Sequence, residues 1–425
     1  MKTIAFHTLG CKMNFAETST LTRQVAAKGF EGIAFNEKAD IYVVHSCIVT
    51  GAAERKCIAA IRQARKRNPE ARIIVIGCMP EISPTRLLQE EGVDLILGNK
   101  DKYRLPDILE NENFREEADA ENIFVPSWSS GDRTRTFFKV QDGCDYFCAY
   151  CTIPLARGRS RSNTIAETIE TAREIALSGA KEVVLTGINL GDFGKRNNEK
   201  FIDLLKALED LRGIDRIRLS SIEPDLLNDD IIRLVAQSKK LMPHLHIPLQ
   251  SGSARILSQM KRRYTKELFT ERMRAIKELM PHACIATDVI AGFPGETEEE
   301  FNEEMDFISG SEISYMHVFT YSKRNNTKAS ELGDEVHGTV KKERSRLLHE
   351  LSETKKDYFY LQNKGRECNA LIESDRHQGF LYGFTDNYIK VRVPFQNESV
   401  NSIVRVKLLE LADDGCYEVA MCYGL

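Results

Sequence analysis

A membrane-spanning segment is the first thing this 425-residue sequence lacks. No apolar run approaches the ~20 residues that a bilayer requires. The start, Met1-Lys2-Thr3-Ile4-Ala5-Phe6-His7, has no long apolar core of the kind a secretory leader needs. Both absences lead us to expect a cytoplasmic protein with no membrane partner. A charge excess is missing too. The 59 Lys and Arg against 63 Asp and Glu leave a net charge of −4, so the chain as a whole carries no electrostatic signature of nucleic-acid binding. Tryptophan is nearly absent, and Trp128, the single example, reads as an interdomain packing residue. Eleven cysteines, an odd number scattered through a long chain, exclude a disulfide framework and fit thiols kept reduced for metal or catalysis.

What the net charge hides is local. Between Arg55 and Arg72 seven basic residues face one acid, Glu70, and between Arg255 and Lys277 eight face two, Glu267 and Glu271. These clusters suit either a phosphate backbone or solvated helix faces.

The cysteines are not placed at random. Cys144, Cys148 and Cys151 stand in Gly143-Cys144-Asp145-Tyr146-Phe147-Cys148-Ala149-Tyr150-Cys151, one thiol short of a closed tetrahedral site. Three soft thiolates on a short loop suit an iron-sulfur cube with one iron left for a small molecule. Tyr146, Phe147 and Tyr150 are then available to exclude water. The competing reading, a zinc knuckle with a distant fourth ligand, lacks the usual second Cys-x2-Cys hook.

A second trio lies upstream. Apolar runs ending near Thr8, His45 and Ile76 are each followed by a cysteine, Cys11, Cys47 or Cys78, and then by a helical pattern, the first capped by Asn14. Alternating strands and helices imply a parallel sheet, and ligands of such sheets sit outside the carboxyl ends of the strands. Three thiols on that edge point to a second cluster. Cys57, Cys368, Cys416 and Cys422 read as buried small hydrophobes.

The rest of the chain divides accordingly. Residues 1–112 form an amino-terminal parallel α/β sheet domain, and 113–133 a linker without sustained period. Residues 134–362 carry six strand candidates (137–141, 182–186, 216–221, 244–249, 285–291 and 314–320) separated by helical patterns. That alternation predicts a (β/α)6 partial TIM barrel with its chemistry at the carboxyl ends of the strands. Residues 363–425 hold five short alternating segments and predict a small antiparallel β-barrel. Seven basic and nine acidic residues make this last module slightly acidic, so any RNA contact falls to groups such as Asn387, Tyr388 and Arg392. The alternating Arg157, Arg159 and Arg161 suit either phosphate or acids of the first domain, and His246 reads as a core histidine.

The Cys144-Cys148-Cys151 spacing, with an aromatic residue before the third cysteine, resembles the cluster motif of the radical S-adenosylmethionine (SAM) enzymes. Leu9-Gly10-Cys11-Lys12-Met13-Asn14, Ser46-Cys47-x-Val49-Thr50 and Gly77-Cys78 resemble the three signatures of the methylthiotransferase amino-terminal domain. Gly383-Phe384-Thr385-Asp386-Asn387-Tyr388 resembles the TRAM RNA-binding module. The resemblance implies two [4Fe-4S] clusters, ligated by Cys11, Cys47 and Cys78 and by Cys144, Cys148 and Cys151, with SAM serving as methyl donor and radical source. It places SAM near Tyr150, Gly187, Asn189, Ser221, Glu223, Ile290 and Phe293. Gln141-Asp142-Gly143-Cys144, residues 156–162 and the motifs above look most like the branch that methylthiolates carbon 2 of N6-threonylcarbamoyladenosine at tRNA position 37. The implied partners are a tRNA anticodon stem-loop and an electron donor such as flavodoxin or ferredoxin, with the protein a monomer. The isopentenyladenosine branch, the branch acting on a ribosomal-protein aspartate, and a non-catalytic iron-sulfur RNA-binding protein are the alternatives.

Overall fold

The structure, a computed structural model, describes residues 1–111, 123–131 and 134–422, and most of the expected linker lies outside the described residues. The first domain is a five-stranded parallel sheet of β1 (Thr3–Thr8), β2 (Glu31–Gly32), β3 (Ile41–Ser46), β4 (Arg72–Gly77) and β5 (Leu95–Leu97), in the order β2-β1-β3-β4-β5. β3 is buried at all six positions, as a central strand covered on both faces should be. Helix α1 (Lys12–Ala27) follows β1, and α2 (Gly51–Arg67) follows β3 and is capped by the Thr50 side chain. Asn14 does not cap α1. The helix starts two residues before it, and its amide instead donates to the carbonyls of Leu9 (2.7 Å) and Ser46 (3.1 Å), tying the β1 and β3 ends together.

The central domain contains β6 (Ser127–Trp128), β7 (Arg135–Lys139), β8 (Glu182–Thr186), β9 (Arg216–Leu219), β10 (His244–His246), β11 (Cys284–Ala291) and β12 (Tyr315–Thr320). The six expected strands are β7 to β12, all parallel to their ladder neighbours in this series, with helices at Ile165–Leu177, Phe201–Asp210, Asp229–Gln237, Lys266–Leu279 and Glu298–Ser309. The ladder thins between β9 and β10 to the isolated pairs Ile217/Leu241 and Ser221/His246. Pro243 and Pro248 flank β10, and each removes a backbone donor there. The stretch read as linker contributes β6, which pairs antiparallel with β7. Trp128 packs under the Arg23 guanidinium of α1 at 4.1 Å, so it is an interdomain residue as expected.

A 25-residue helix, Gly338–Gln362, leads to a closed barrel of β13 (Glu367–His377), β14 (Phe380–Thr385), β15 (Lys390–Pro394), β16 (Ile403–Leu411) and β17 (Tyr417–Met421). Its pairings are antiparallel except β15 with β17. Two buried arginines dock it on the central domain. Arg216 donates to the Asn369 carbonyl (2.6 Å), while Arg218 donates to the carbonyls of Thr385 (2.6 Å) and Asp386 (2.8 Å) and pairs with Glu182 (2.7 Å). No helix among the described residues is long and apolar enough to cross a membrane.

Candidate functional site

At the carboxyl edge of the first sheet, Cys11, Cys47 and Cys78 follow β1, β3 and β4, which are adjacent strands. Cys11 is exposed, whereas Cys47 and Cys78 are 7% and 4% exposed. The turns into two of these cysteines are made by glycines at φ +101°. A Cβ on Gly10 would lie 2.7 Å from the Cys47 Cβ and 2.9 Å from its Sγ, and one on Gly77 would lie 2.7 Å from the His45 ring. Only glycine fits where the backbone comes this close to a thiol at a left-handed φ. Asn99 Nδ2 lies 3.5 Å from the Cys78 Sγ and donates to the Ala156 carbonyl at 2.7 Å, joining this edge to the central domain.

The loop after β7 carries the other trio. Backbone N–H groups of Tyr146 and Ile153 point at the Sγ atoms of Cys144 and Cys151, each at 3.4 Å, and Arg262 Nη1 lies 2.9 Å from the Cys148 Sγ. Burial pushes the Cys144 and Cys151 thiols up to about 12 and Cys47 up to about 11. Buried thiols of this kind become thiolates when a metal takes the place of the proton. Each trio supplies three soft sulfur donors and no fourth, which suits a [4Fe-4S] cluster with one iron left open. The N–H···S contacts are those that tune such clusters. Both donor sets fit [4Fe-4S].

Arg262 also donates to Glu223 and to the Tyr150 hydroxyl (3.3 Å), so it bridges the loop to the end of β9. Gln141 does the same toward β8. Its Nε2 donates to the Gly143 carbonyl (2.7 Å), and its Oε1 accepts from the backbone of Ile188 (2.8 Å) and Asn189 (2.9 Å). The Asn189 side chain is buried and its Oδ1 has no hydrogen-bond partner among the described residues, a group left for a ligand. Ile290 is 9% exposed, and Phe293, fully buried, packs behind it with Tyr321 and Ala329. Of the aromatics expected to exclude water, Tyr146 is buried and Tyr150 half-buried, but Phe147 (φ +51°) turns outward, 43% exposed, beneath Arg159.

A cavity of about 1020 Å³ opens where the three domains meet. Cys11 and Cys47 line it from the first domain, Gly187 and Ser221 from the central one, and Phe384 and Tyr388 from the terminal barrel. His246 faces this cavity instead of a core. Its Nε2 lies 3.0 Å from Asp288, and His246, Asp288 and His317 bring ligand atoms within 4.8 Å of one another. Tyr388 stacks on Phe384 at 4.6 Å between ring centres. Asn387 is an interior residue, donating to the His282 carbonyl (2.7 Å) and to Asn363 (2.9 Å), and Arg392 is paired with Asp414 and Glu418, so neither is a free RNA-facing group.

The seam between the first two domains is ionic. Glu17, fully buried on α1, is paired with Lys102, with Lys139 (3.0 Å) and with Arg157 (3.2 Å). Arg157 also reaches Asp142 (3.0 Å) and Asn14 (2.7 Å), and Arg161 pairs with Asp142 (2.9 Å). Three cations around one carboxylate hold Glu17 well below its usual range despite burial. Burial lowers the Lys102 ammonium to about 8 against the pull of Glu17. The two shifts oppose each other as contributions to the pair, and the geometry favours both groups being charged at neutral pH. Arg157 and Arg161 are thus internal locks, while Arg159 stays on the surface. Lys12, Gln141 and Arg262 were not singled out from the sequence. The basic run 255–277 and the Gln141-Asp142-Gly143-Cys144 string contained the last two without revealing their partners.

Comparison with known proteins agrees in three ways. The family model described as uncharacterized protein family UPF0004 matches residues 3–98, and that of the radical SAM superfamily matches residues 138–308. The threonylcarbamoyladenosine tRNA methylthiotransferases MtaB of Bacillus subtilis and Aquifex aeolicus are 38% and 40% identical. The alignments cover 96% and 95% of this chain and 94% and 99% of those proteins. A tRNA-2-methylthio-N(6)-dimethylallyladenosine synthase of Caldicellulosiruptor saccharolyticus is 33% identical over 98% of this chain and 92% of its own. The radical SAM methyltransferase TsrM of Kitasatospora setae has a similar fold, with a TM-score of 0.57 at 14% identity over 78% of this chain and 75% of that one. Two cysteine trios, a half-open parallel barrel and relatives of this closeness leave one conclusion: the chain belongs to the radical SAM methylthiotransferases, in the MtaB branch.

Proposed function

We propose that the protein methylthiolates carbon 2 of N6-threonylcarbamoyladenosine at tRNA position 37. Cys11, Cys47 and Cys78 would hold the auxiliary [4Fe-4S] cluster, and Cys144, Cys148 and Cys151 the cluster that engages SAM. The observation that carries the reading is the cavity whose walls bring Cys11 and Cys47 opposite Gly187 and Ser221. When bound, the two clusters and SAM supply a reducing electron, a hydrogen-abstracting radical and the methylthio group. This chain's own residues do the rest. Glu17, Arg157 and Asp142 hold the two cysteine edges in fixed relation, and Gln141 and Arg262 fix the loop of Cys144 against the turns after β8 and β9. Glu223 and the open Asn189 Oδ1 offer polar contacts to SAM beside Tyr150, Ser221 and Ile290, with Phe293 setting their backing. Tyr388 and Phe384, stacked on each other, put aromatic surface on the cavity wall that an adenine would meet.

MtaB proteins reach 38% and 40% identity to this chain and others stand at 34% and 32%, while the dimethylallyladenosine enzymes stand at 32–33%, and the two higher values support the threonylcarbamoyl substrate. We further infer a cytoplasmic monomer that draws electrons from a small carrier such as flavodoxin or ferredoxin. Nucleoside mass spectrometry of bulk tRNA from cells with and without the gene tests the function. Loss of 2-methylthio-N6-threonylcarbamoyladenosine with accumulation of its unthiolated parent is the expected result. Loss of the methylthio-isopentenyl nucleoside instead would move the protein to the other branch.

A further inference from the structure

Five Lys and Arg side chains line the cavity, and four of them are engaged. Arg135 lies 2.8 Å from Glu373, Arg218 lies 2.7 Å from Glu182, Lys356 lies 3.0 Å from Glu353, and Lys390 sits 4.7 Å from the Tyr382 ring centre. Lys12 is the exception. Among the described residues no carboxylate lies within the 4.0 Å reach of an ion pair with its ammonium.

Its place in the fold accounts for this. Lys12 is the first residue of α1, one position after Cys11, and it is exposed, but the solvent it meets is that of the cavity. It lies near enough to Arg135, Arg218 and Asp288 to feel their charges. Only Asp288 among these is an anion, and it already accepts from His246 at 3.0 Å with His317 beside it. The spacing of His246, Asp288 and His317 would admit a divalent cation. Glu373 and Glu182 balance Arg135 and Arg218, and Asp288 is taken up by His246, so Lys12 is left as a cation on the cavity wall with no acid of its own among the described residues, which favours an anion.

We propose that Lys12 takes the carboxylate of the threonylcarbamoyl group and so separates this adenine from one bearing an apolar N6 substituent. The inference rests on the function proposed above and extends it to the residue that reads the substituent. A carboxylate gives the ammonium a charge-assisted bond. A prenyl group gives it nothing and strips its water, so Lys12 selects by attraction and by penalty together. Because Lys12 adjoins Cys11, a substituent held there keeps its adenine on the auxiliary-cluster side of the cavity.

Binding of anticodon stem-loop RNAs to the cluster-loaded protein, without reductant, tests this. Three RNAs differ only at adenine 37: the threonylcarbamoyl acid, its methyl ester, and the isopentenyl derivative. The native protein is expected to bind the acid roughly ten- to a hundredfold tighter than the ester. Lys12→Gln should abolish that gap, leave affinity for the ester unchanged and raise affinity for the isopentenyl RNA, and Lys12→Arg should keep most of the gap. Equal affinity of native protein for acid and ester overturns the proposal without recourse to a variant. If both then still bind tighter than the isopentenyl RNA, the functional reading stands and only Lys12 falls. A native preference for the isopentenyl RNA overturns both. A gap that needs added divalent metal and vanishes with chelator assigns the carboxylate to an ion at His246, Asp288 and His317, and overturns the role of Lys12.

Discussion

Replacing Glu17 by Gln would test whether the domain seam is held by charge. The substitution keeps the shape and one acceptor but removes the negative charge that Lys102, Lys139 and Arg157 share in a fully buried site. Asp142 would then face Lys139, Arg157 and Arg161 as the network's remaining carboxylate. Leaving buried charge uncompensated costs about 3–5 kcal/mol, a large share of the ~5–15 kcal/mol that typically stabilises a domain. The assay is denaturation of the protein followed by two probes, Trp128 fluorescence at the seam and far-UV circular dichroism for the whole, since a multidomain chain need not melt in one step. The Trp128 transition should move to lower denaturant by an amount equivalent to that cost. Adding Lys102→Met to Glu17→Gln should recover at least ~1 kcal/mol, because the two residues are in direct contact. Acid should mimic the variant. A carboxyl whose folded value is depressed stabilises at pH above its unfolded value near ~4.3, and that contribution fades as pH falls through the folded value. A Glu17→Gln protein whose Trp128 transition stays within ~0.5 kcal/mol of native would refute the claim that charge holds the seam.

Other consequences can be checked separately. Gly10→Ala puts a methyl against Cys47 at φ +101°, and should cost at least ~1 kcal/mol and lower iron content by the auxiliary cluster's share while sparing SAM cleavage. Cys148→Ala should abolish 5′-deoxyadenosine formation, whereas Cys47→Ala should retain some cleavage yet give no methylthiolated nucleoside. Full product from the Cys47 variant in a single turnover would defeat the two-cluster scheme. Arg262→Met removes a cationic donor from the Cys148 sulfur. If that contact favours the reduced cluster by about 1.4 kcal/mol, the midpoint potential should fall by roughly 60 mV in a redox titration followed by electron paramagnetic resonance. His244 is buried and held neutral, its value pushed well below 6.5 by burial and by Arg218. The unfolded chain then binds the extra proton, so His244 should contribute a loss of about 1.4 kcal/mol per pH unit below ~6.5, beside a like share from the buried His45, and His244→Gln should remove its own share of that slope.

The sequence disclosed what depends on local pattern. The six parallel barrel strands, the helices between them and the cysteines at three strand ends all follow from periodicity and turn chemistry, and the strands fall within two residues of their expected starts. It was silent where a side chain finds its partner far along the chain. Arg157 and Glu17 are 140 positions apart, so spacing alone left Arg157 between phosphate and carboxylate. His246 sits in a strand of apolar neighbours, yet β10 ends at a proline-flanked gap and aims it into the cavity. Asn387 looked like a surface recognition residue because its motif is polar, but its amide closes the joint between two domains. Short motifs report where the backbone turns, and they leave open what the turned side chain meets.

The uneven exposure of the first trio bears on how the enzyme is assembled. Cys78 lies behind Asn99 and the Ala156 carbonyl, and Cys47 is nearly closed off, so among the described residues the open approach for iron and sulfide once the domains have docked is through the cavity past Cys11. The RNA nucleoside would enter by that same route. Loading the cofactor and holding the substrate are then mutually exclusive in time. Reconstitution of apo-protein with iron and sulfide should slow in proportion to the stem-loop bound, and a rate indifferent to RNA would mean that a second entrance exists.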